Sequence, residues 1–113
     1  MHNNIIDKPL AQGIEIIKKF AENLPNRPGV YRMINEHDDV LYVGKAKALQ
    51  KRVTSYTQPQ RLAGRIQRMV AQTRMMEFIE TSSEAEALLL EANLIKKLKP
   101  KYNILLRDDK SFP

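Results

Sequence analysis

Residues 29–44 read Gly29-Val30-Tyr31-Arg32-Met33-Ile34-Asn35-Glu36-His37-Asp38-Asp39-Val40-Leu41-Tyr42-Val43-Gly44. Val30 to Ile34 and Val40 to Val43 are rich in β-branched and aromatic residues, and the polar run 35–39 between them suits a hairpin loop. Upstream, Leu10, Ile14, Ile17, Phe20, Ala21 and Leu24 recur at helical spacing, which predicts an amphipathic helix from Leu10 to Leu24 closed by Pro25 and Pro28. Residues 1–8 have no periodicity and are expected to be disordered. Downstream, Ala48 to Tyr56 reads as a short helix with Leu49, Arg52, Val53 and Tyr56 on one face. After Pro59 a second helix is expected from Gln60 to Thr73, burying Leu62, Ile66, Met69 and Val70 and exposing a stripe of Arg61, Arg65 and Arg68. Met76 to Thr81 reads as a third strand. Ser83 with Glu86 three residues on is a capping-box signature for a helix running to about Leu98, which Pro100 ends. The order β-β-α-α-β-α implies an α/β chain of the α+β type, a small three-stranded antiparallel sheet flanked by helices.

Composition narrows the chemistry. With 113 residues the chain is one small domain, and 42% apolar with 28% charged residues is ordinary for a globular protein. The absence of cysteine removes disulfides and thiolate metal sites, and His2 and His37 alone argue against a histidine-bound zinc. No apolar run reaches membrane-spanning length, and Asp7-Lys8-Pro9 stands where a signal peptide needs apolar residues, so the expectation is a cytosolic protein without a membrane. Net charge is +6, and between Val40 and Met76 eight Lys or Arg residues (45, 47, 51, 52, 61, 65, 68, 74) stand without one acid. A solvated face usually mixes both signs, so this run suits a polyphosphate partner.

Glu91 is the sharpest single feature. At about 100° per residue it projects away from the polar sector of Glu86, Asn93 and Lys97, between Leu88, Ile95 and Leu98. A carboxylate on an apolar face is costly unless it is paired or holds a metal. The two readings are an ion pair with an arginine at the edge of the core, and a magnesium ligand, for which one carboxylate suffices. Arg52 also points towards apolar surroundings, where a guanidinium stays charged and can grip two phosphate oxygens; pairing with Glu91 is the alternative. Tyr31 and Tyr42 lie on adjacent strands and are either core phenols or proton-transfer groups. Gly44 lets backbone approach a phosphate, Lys45 supplies a compact charge beside it, and Lys47 and Lys51 suit flanking phosphates. Tyr56 is either a core residue or a phenol in the wall of the site.

Gly29-Val30-Tyr31, Tyr42-Val43-Gly44, the basic helix with Arg52, Glu91-Ala92-Asn93-Leu94-Ile95-Lys96-Lys97 and Pro100-Lys101-Tyr102-Asn103 together resemble the GIY-YIG nuclease family, with Val in place of Ile in both tyrosine motifs. The resemblance covers roughly residues 26–113 and is greatest to the excision-repair branch. It implies the GIY-YIG fold over 27–104, preceded by a tail and helix (1–26) and followed by an extension (105–113) leading into a longer parent. It implies hydrolysis of one DNA phosphodiester with one Mg2+ or Mn2+ held by Glu91. In that reading Tyr42 activates water, Tyr31 orients water or phosphate, and Arg52 and Lys45 stabilise charge. Asn103, a loop residue from its spacing alone, takes an active-site position. Gly44, Lys45, Lys47, Lys51, Tyr56, Arg61, Arg65 and Arg68 would meet DNA. The partners implied are damaged double-stranded DNA and UvrB, with UvrA acting earlier; the incision lies 3′ to the lesion, and the isolated domain is monomeric. The rival readings are a non-catalytic nucleic-acid-binding module, which does not explain Glu91, and a stand-alone nuclease of the same fold.

Overall fold

The computed structural model describes residues 7–107. Most of the stretch read as disordered, and most of the 105–113 extension, lie outside these. Asp7 and Lys8 depart from that reading. Asp7 is the N-cap of helix α1 (Lys8–Glu22), its carboxylate accepting from the Leu10 N–H at 2.9 Å, and Pro9 in the first turn needs no donor. Strands β1 (Gly29–Ile34) and β2 (Val40–Ala46) form the hairpin, with a register shift between Met33 and Ile34. Its loop is tied by Asn35, whose side-chain carbonyl accepts from the His37 and Asp39 N–H groups. Helices α2 (Leu49–Thr54) and α3 (Gly64–Gln72), strand β3 (Met75–Glu80), and helices α4 (Glu84–Leu98) and α5 (Lys101–Arg107) complete the chain. The sheet order is β2-β1-β3, all antiparallel.

Two expectations change. The helix expected over 60–73 is split. Residues Pro59–Arg61 make a 3-10 turn, Leu62 and Ala63 are extended, and α3 begins at Gly64, so Arg61 shares no helical stripe with Arg65 and Arg68. The Tyr102-Asn103 segment, read as loop, is helical: Lys99 takes a left-handed conformation (φ 47°), α4 stops there, and Pro100 sits just ahead of the new helix α5. The capping box is present, with the Glu86 N–H donating to Ser83 Oγ at 3.1 Å and the Glu86 carboxylate accepting from the Ser82 N–H at 2.7 Å.

The period-2 alternation of the sheet divides the core. Tyr31 and Met33 join Leu10, Ile17, Leu49, Val53 and Met69 on the side covered by α1, α2 and α3. Val30 and Val43 face α4, where Ala87, Leu90 and Leu94 close over them. Helix α1 is thus part of the main core, although it precedes the hairpin. It approaches α3 closely at Gly13, where a Cβ would overlap the backbone carbonyl of Val70. Backbone cannot move aside as a side chain can, so Gly13→Ala should lower stability by about 1–3 kcal/mol. Gly64→Ala is the matched control, since its Cβ would meet only Arg68 Nη1 at 3.7 Å. Urea unfolding of the two variants checks the difference.

Candidate active site

Both layers of the molecule meet at the open edge of β2. In this edge strand Val43 directs its N–H and C=O away from β1, where an unpaired strand would expose them. The Asn103 side chain on α5 takes both: its Oδ1 accepts from the Val43 N–H at 2.8 Å, and its Nδ2 donates to the Val43 carbonyl at 2.9 Å. Two residues on, the Lys45 N–H is turned the same way, and the carboxylate of Glu91 on α4 lies against it. Asn103, expected to orient a phosphate or a neighbouring side chain, has its amide hydrogen-bonded to the strand that carries Tyr42, Gly44 and Lys45.

Three phenols gather on the other side of this edge. Tyr31 is fully buried on the central strand, and its hydroxyl lies 2.6 Å from that of Tyr56. The Tyr31 ring is 6.2 Å from the Tyr42 ring and 5.9 Å, edge-on, from the Tyr56 ring, centroid to centroid. Gly44 pairs with Tyr31 in the register and makes room for it, since a Cβ there would lie 2.5 Å from the Tyr31 hydroxyl. Tyr56 is therefore both alternatives at once, 4% exposed yet hydroxyl-linked to the cluster. The signal for it in the sequence was its place four residues after Arg52 on one helical face. Arg52, at the surface, sets its guanidinium 5.6 Å over the Tyr56 ring.

Burial shifts the proton affinities of the site. Desolvation, then the neighbouring Tyr56, hold the Tyr31 and Tyr42 phenols well above their ordinary pKa, although Arg52 pulls both down. Tyr31 and Tyr56 in turn raise Arg52, which stays a cation. Desolvation also raises Glu91, opposed by the Lys45 ammonium and the Lys45 N–H. Among the described residues Glu91 makes no ion pair, with Arg52 or any other cation, so the salt-bridge reading of it finds no support. Nor do three or more His, Cys, Asp or Glu side chains cluster anywhere among the described residues. A lone, half-buried carboxylate near the Tyr42 phenol fits magnesium, for which one carboxylate suffices because the ion keeps most of its waters.

The basic run separates into two groups. Lys45, Lys47, Lys51 and Arg52 gather at one cleft beside the site. Arg61, Arg65 and Arg68 do not line it, and Arg65 donates one Nη1 hydrogen bond to the Leu105 carbonyl of α5 at 2.9 Å. Arg74 likewise donates to the Ala71 and Thr73 carbonyls at the end of α3. Leu88, expected to flank Glu91 on the apolar face, is 53% exposed; Ala87, Leu90 and Leu94 form the buried stripe instead.

Residues 27–104 match a family model described as the UvrC-like GIY-YIG domain. The UvrABC system protein C of Sphingopyxis alaskensis is 67% identical over 108 residues, which are 95% of this chain and 17% of that protein. That of Rhodospirillum rubrum is 63% identical over 107 residues, again 95% of this chain and 17% of the relative. The chain thus spans less than a fifth of the length of the curated relatives it matches. A solved structure, the GIY-YIG N-terminal endonuclease domain of UvrC from Thermotoga maritima bound to magnesium as its catalytic cation, has a TM-score of 0.70. It is 42% identical and covers 76% of this chain and 93% of that one. One asparagine-to-alanine and three tyrosine-to-phenylalanine point mutants of that domain, each bound to its cation, match at the same TM-score of 0.70.

The Asn103 clamp carries a direct test. Asn103→Ala leaves the Val43 N–H and C=O without partners in a half-buried position, which should cost about 1–3 kcal/mol. Hydrogen exchange at the Val43 amide should accelerate more than at Tyr31, whose strand is paired on both sides.

Proposed function

The chain belongs to the UvrC-like GIY-YIG domain family, and from that premise we propose that it is a metal-dependent endonuclease hydrolysing one phosphodiester of damaged double-stranded DNA in bacterial nucleotide excision repair. The observation that carries this reading is the convergence at the β2 edge of an unpaired carboxylate, a fixed guanidinium, a lysine and three phenols. A non-catalytic basic module has no use for a desolvated acid there. The incision is the one 3′ to the lesion, in the cytoplasm, on DNA prepared by UvrB with UvrA acting earlier. Specificity comes from that assembly, because the site holds no element built to read base edges.

Glu91 anchors the cation, magnesium or manganese. The cation-bound tyrosine and asparagine mutants of the Thermotoga maritima domain support a carboxylate anchor over a phenol or amide one. When bound, the cation supplies a Lewis acid for a phosphoryl oxygen and acidifies water. Arg52 holds the scissile phosphate and offsets charge building on it, with Lys45 alongside. Tyr42, half-buried and thus reachable, receives the proton from water. Its raised pKa means that it works as a neutral phenol: as it accepts the water's proton it gives its own to a non-bridging oxygen of the scissile phosphate. Tyr31, sealed from solvent and hydrogen-bonded to Tyr56, is a positioning residue that sets the ring geometry for Tyr42.

Glu91→Gln should abolish magnesium and manganese binding by calorimetry, and incision with it, while the far-ultraviolet spectrum is unchanged; wild-type cation affinity in this variant would place the metal elsewhere. Lys cannot reproduce the two-pronged grip of Arg, so Arg52→Lys should cut about 10²–10³ more slowly in the assembled repair complex. Tyr42→Phe should lower single-turnover incision by about 10²–10⁴ with little change in stability. Tyr31→Phe should be the milder variant, and the opposite ranking would exchange the two roles.

A further inference from the structure

A cleft of about 640 Å³ runs from the catalytic edge between the β2–α2 side of the molecule and the first two turns of α4. Its two walls differ in chemistry. Lys45, Lys47 and Lys51 stand on one, continuous with Arg52 of the site; Glu84, Ala85 and Leu88 stand on the other. A phosphate is drawn to the lysine wall and repelled from the α4 wall by Glu84. The α4 wall offers apolar contact instead, with Leu88 53% exposed to make it. A strand lying here directs its phosphate to one wall and its sugar and base to the other. That base cannot also face a complementary strand. The volume falls in the range of about 300–1,000 Å³ usual for small-molecule sites, which is room for one nucleotide.

We propose that this cleft is a subsite for one unpaired nucleotide adjoining the scissile phosphate, with its phosphate on Lys47 and Lys51, its sugar and base on Leu88, and Glu84 setting its orientation. The proposal rests on the nuclease reading and adds a preference to it: the site favours DNA already opened beside the cut. Unpairing a base costs a few kcal/mol, which an opened substrate has already met.

The test uses the 113-residue chain with two fluorescent duplexes of equal length, one fully paired and one with a short central mismatch, and anisotropy measured without divalent cation. The opened duplex should bind about tenfold or more tightly. Leu88→Ser should remove most of that preference, and Ala85→Phe, which fills the cleft from an exposed position, should do the same. Neither should alter affinity for the paired duplex. Glu84→Gln should strengthen binding of both. Equal binding of the two DNAs by the wild type, as expected if the cleft takes an acidic peptide instead, overturns the proposal. So does a preference that survives both cleft variants. Manganese titration of the wild type separates the two levels: bound cation without DNA preference sinks the subsite alone, whereas no bound cation sinks the nuclease reading beneath it.

Discussion

The outward backbone groups of β2 are the constraint around which the site is assembled. A three-stranded sheet has two edges, and an edge strand leaves alternate N–H and C=O groups without partners. Here the Val43 pair is closed by one asparagine, and the Glu91 carboxylate lies near the Lys45 N–H. Those two side chains come from different helices, so satisfying the strand also fixes α5 and α4 against it. The carboxylate near that backbone donor also acts on the Tyr42 phenol. On the other side of β1, the Arg32–Glu77 and Arg27–Glu80 ion pairs tie β3 to the central strand and the turn before it.

Behind that edge, packing sets the electrostatics. Gly44 has no side chain, and Tyr31 occupies the space, which brings its hydroxyl to Tyr56. Burial raises the Tyr31 and Tyr42 phenols above their ordinary pKa, and the Arg52 guanidinium stays charged beside them. The result is a positive site with neutral phenols and one acid at its rim. That suits an anionic substrate better than a cluster of carboxylates would, because each added carboxylate would repel the phosphate.

Positive charge proved a coarser guide than position. Eight cations stand in an acid-free run, yet Arg65 and Arg74 spend their donors on helix-end carbonyls. A guanidinium near a helix C-terminus meets orphan carbonyls as readily as it meets a phosphate. The four cations that share a cleft with the site come from the end of β2, the turn after it and α2, where the chain has to pass the sheet edge.

The hairpin, the amphipathic first helix, the capped fourth helix and the isolated glutamate were legible in the sequence. Each is a local pattern: alternation with period 2, apolar recurrence with period 3.6, a Ser and a Glu three apart, an acid among leucines. Charge state, the partner of Asn103 and the pairing of Tyr31 with Tyr56 were not, because each depends on residues brought together from distant parts of the chain. The break at Leu62-Ala63 was hidden too, since both residues fit a helical pattern that tertiary packing overrides. Sequence thus determined which side chains could do the chemistry; only the folded edge of β2 decided which were neutral, which were charged, and which were already occupied in holding the strand.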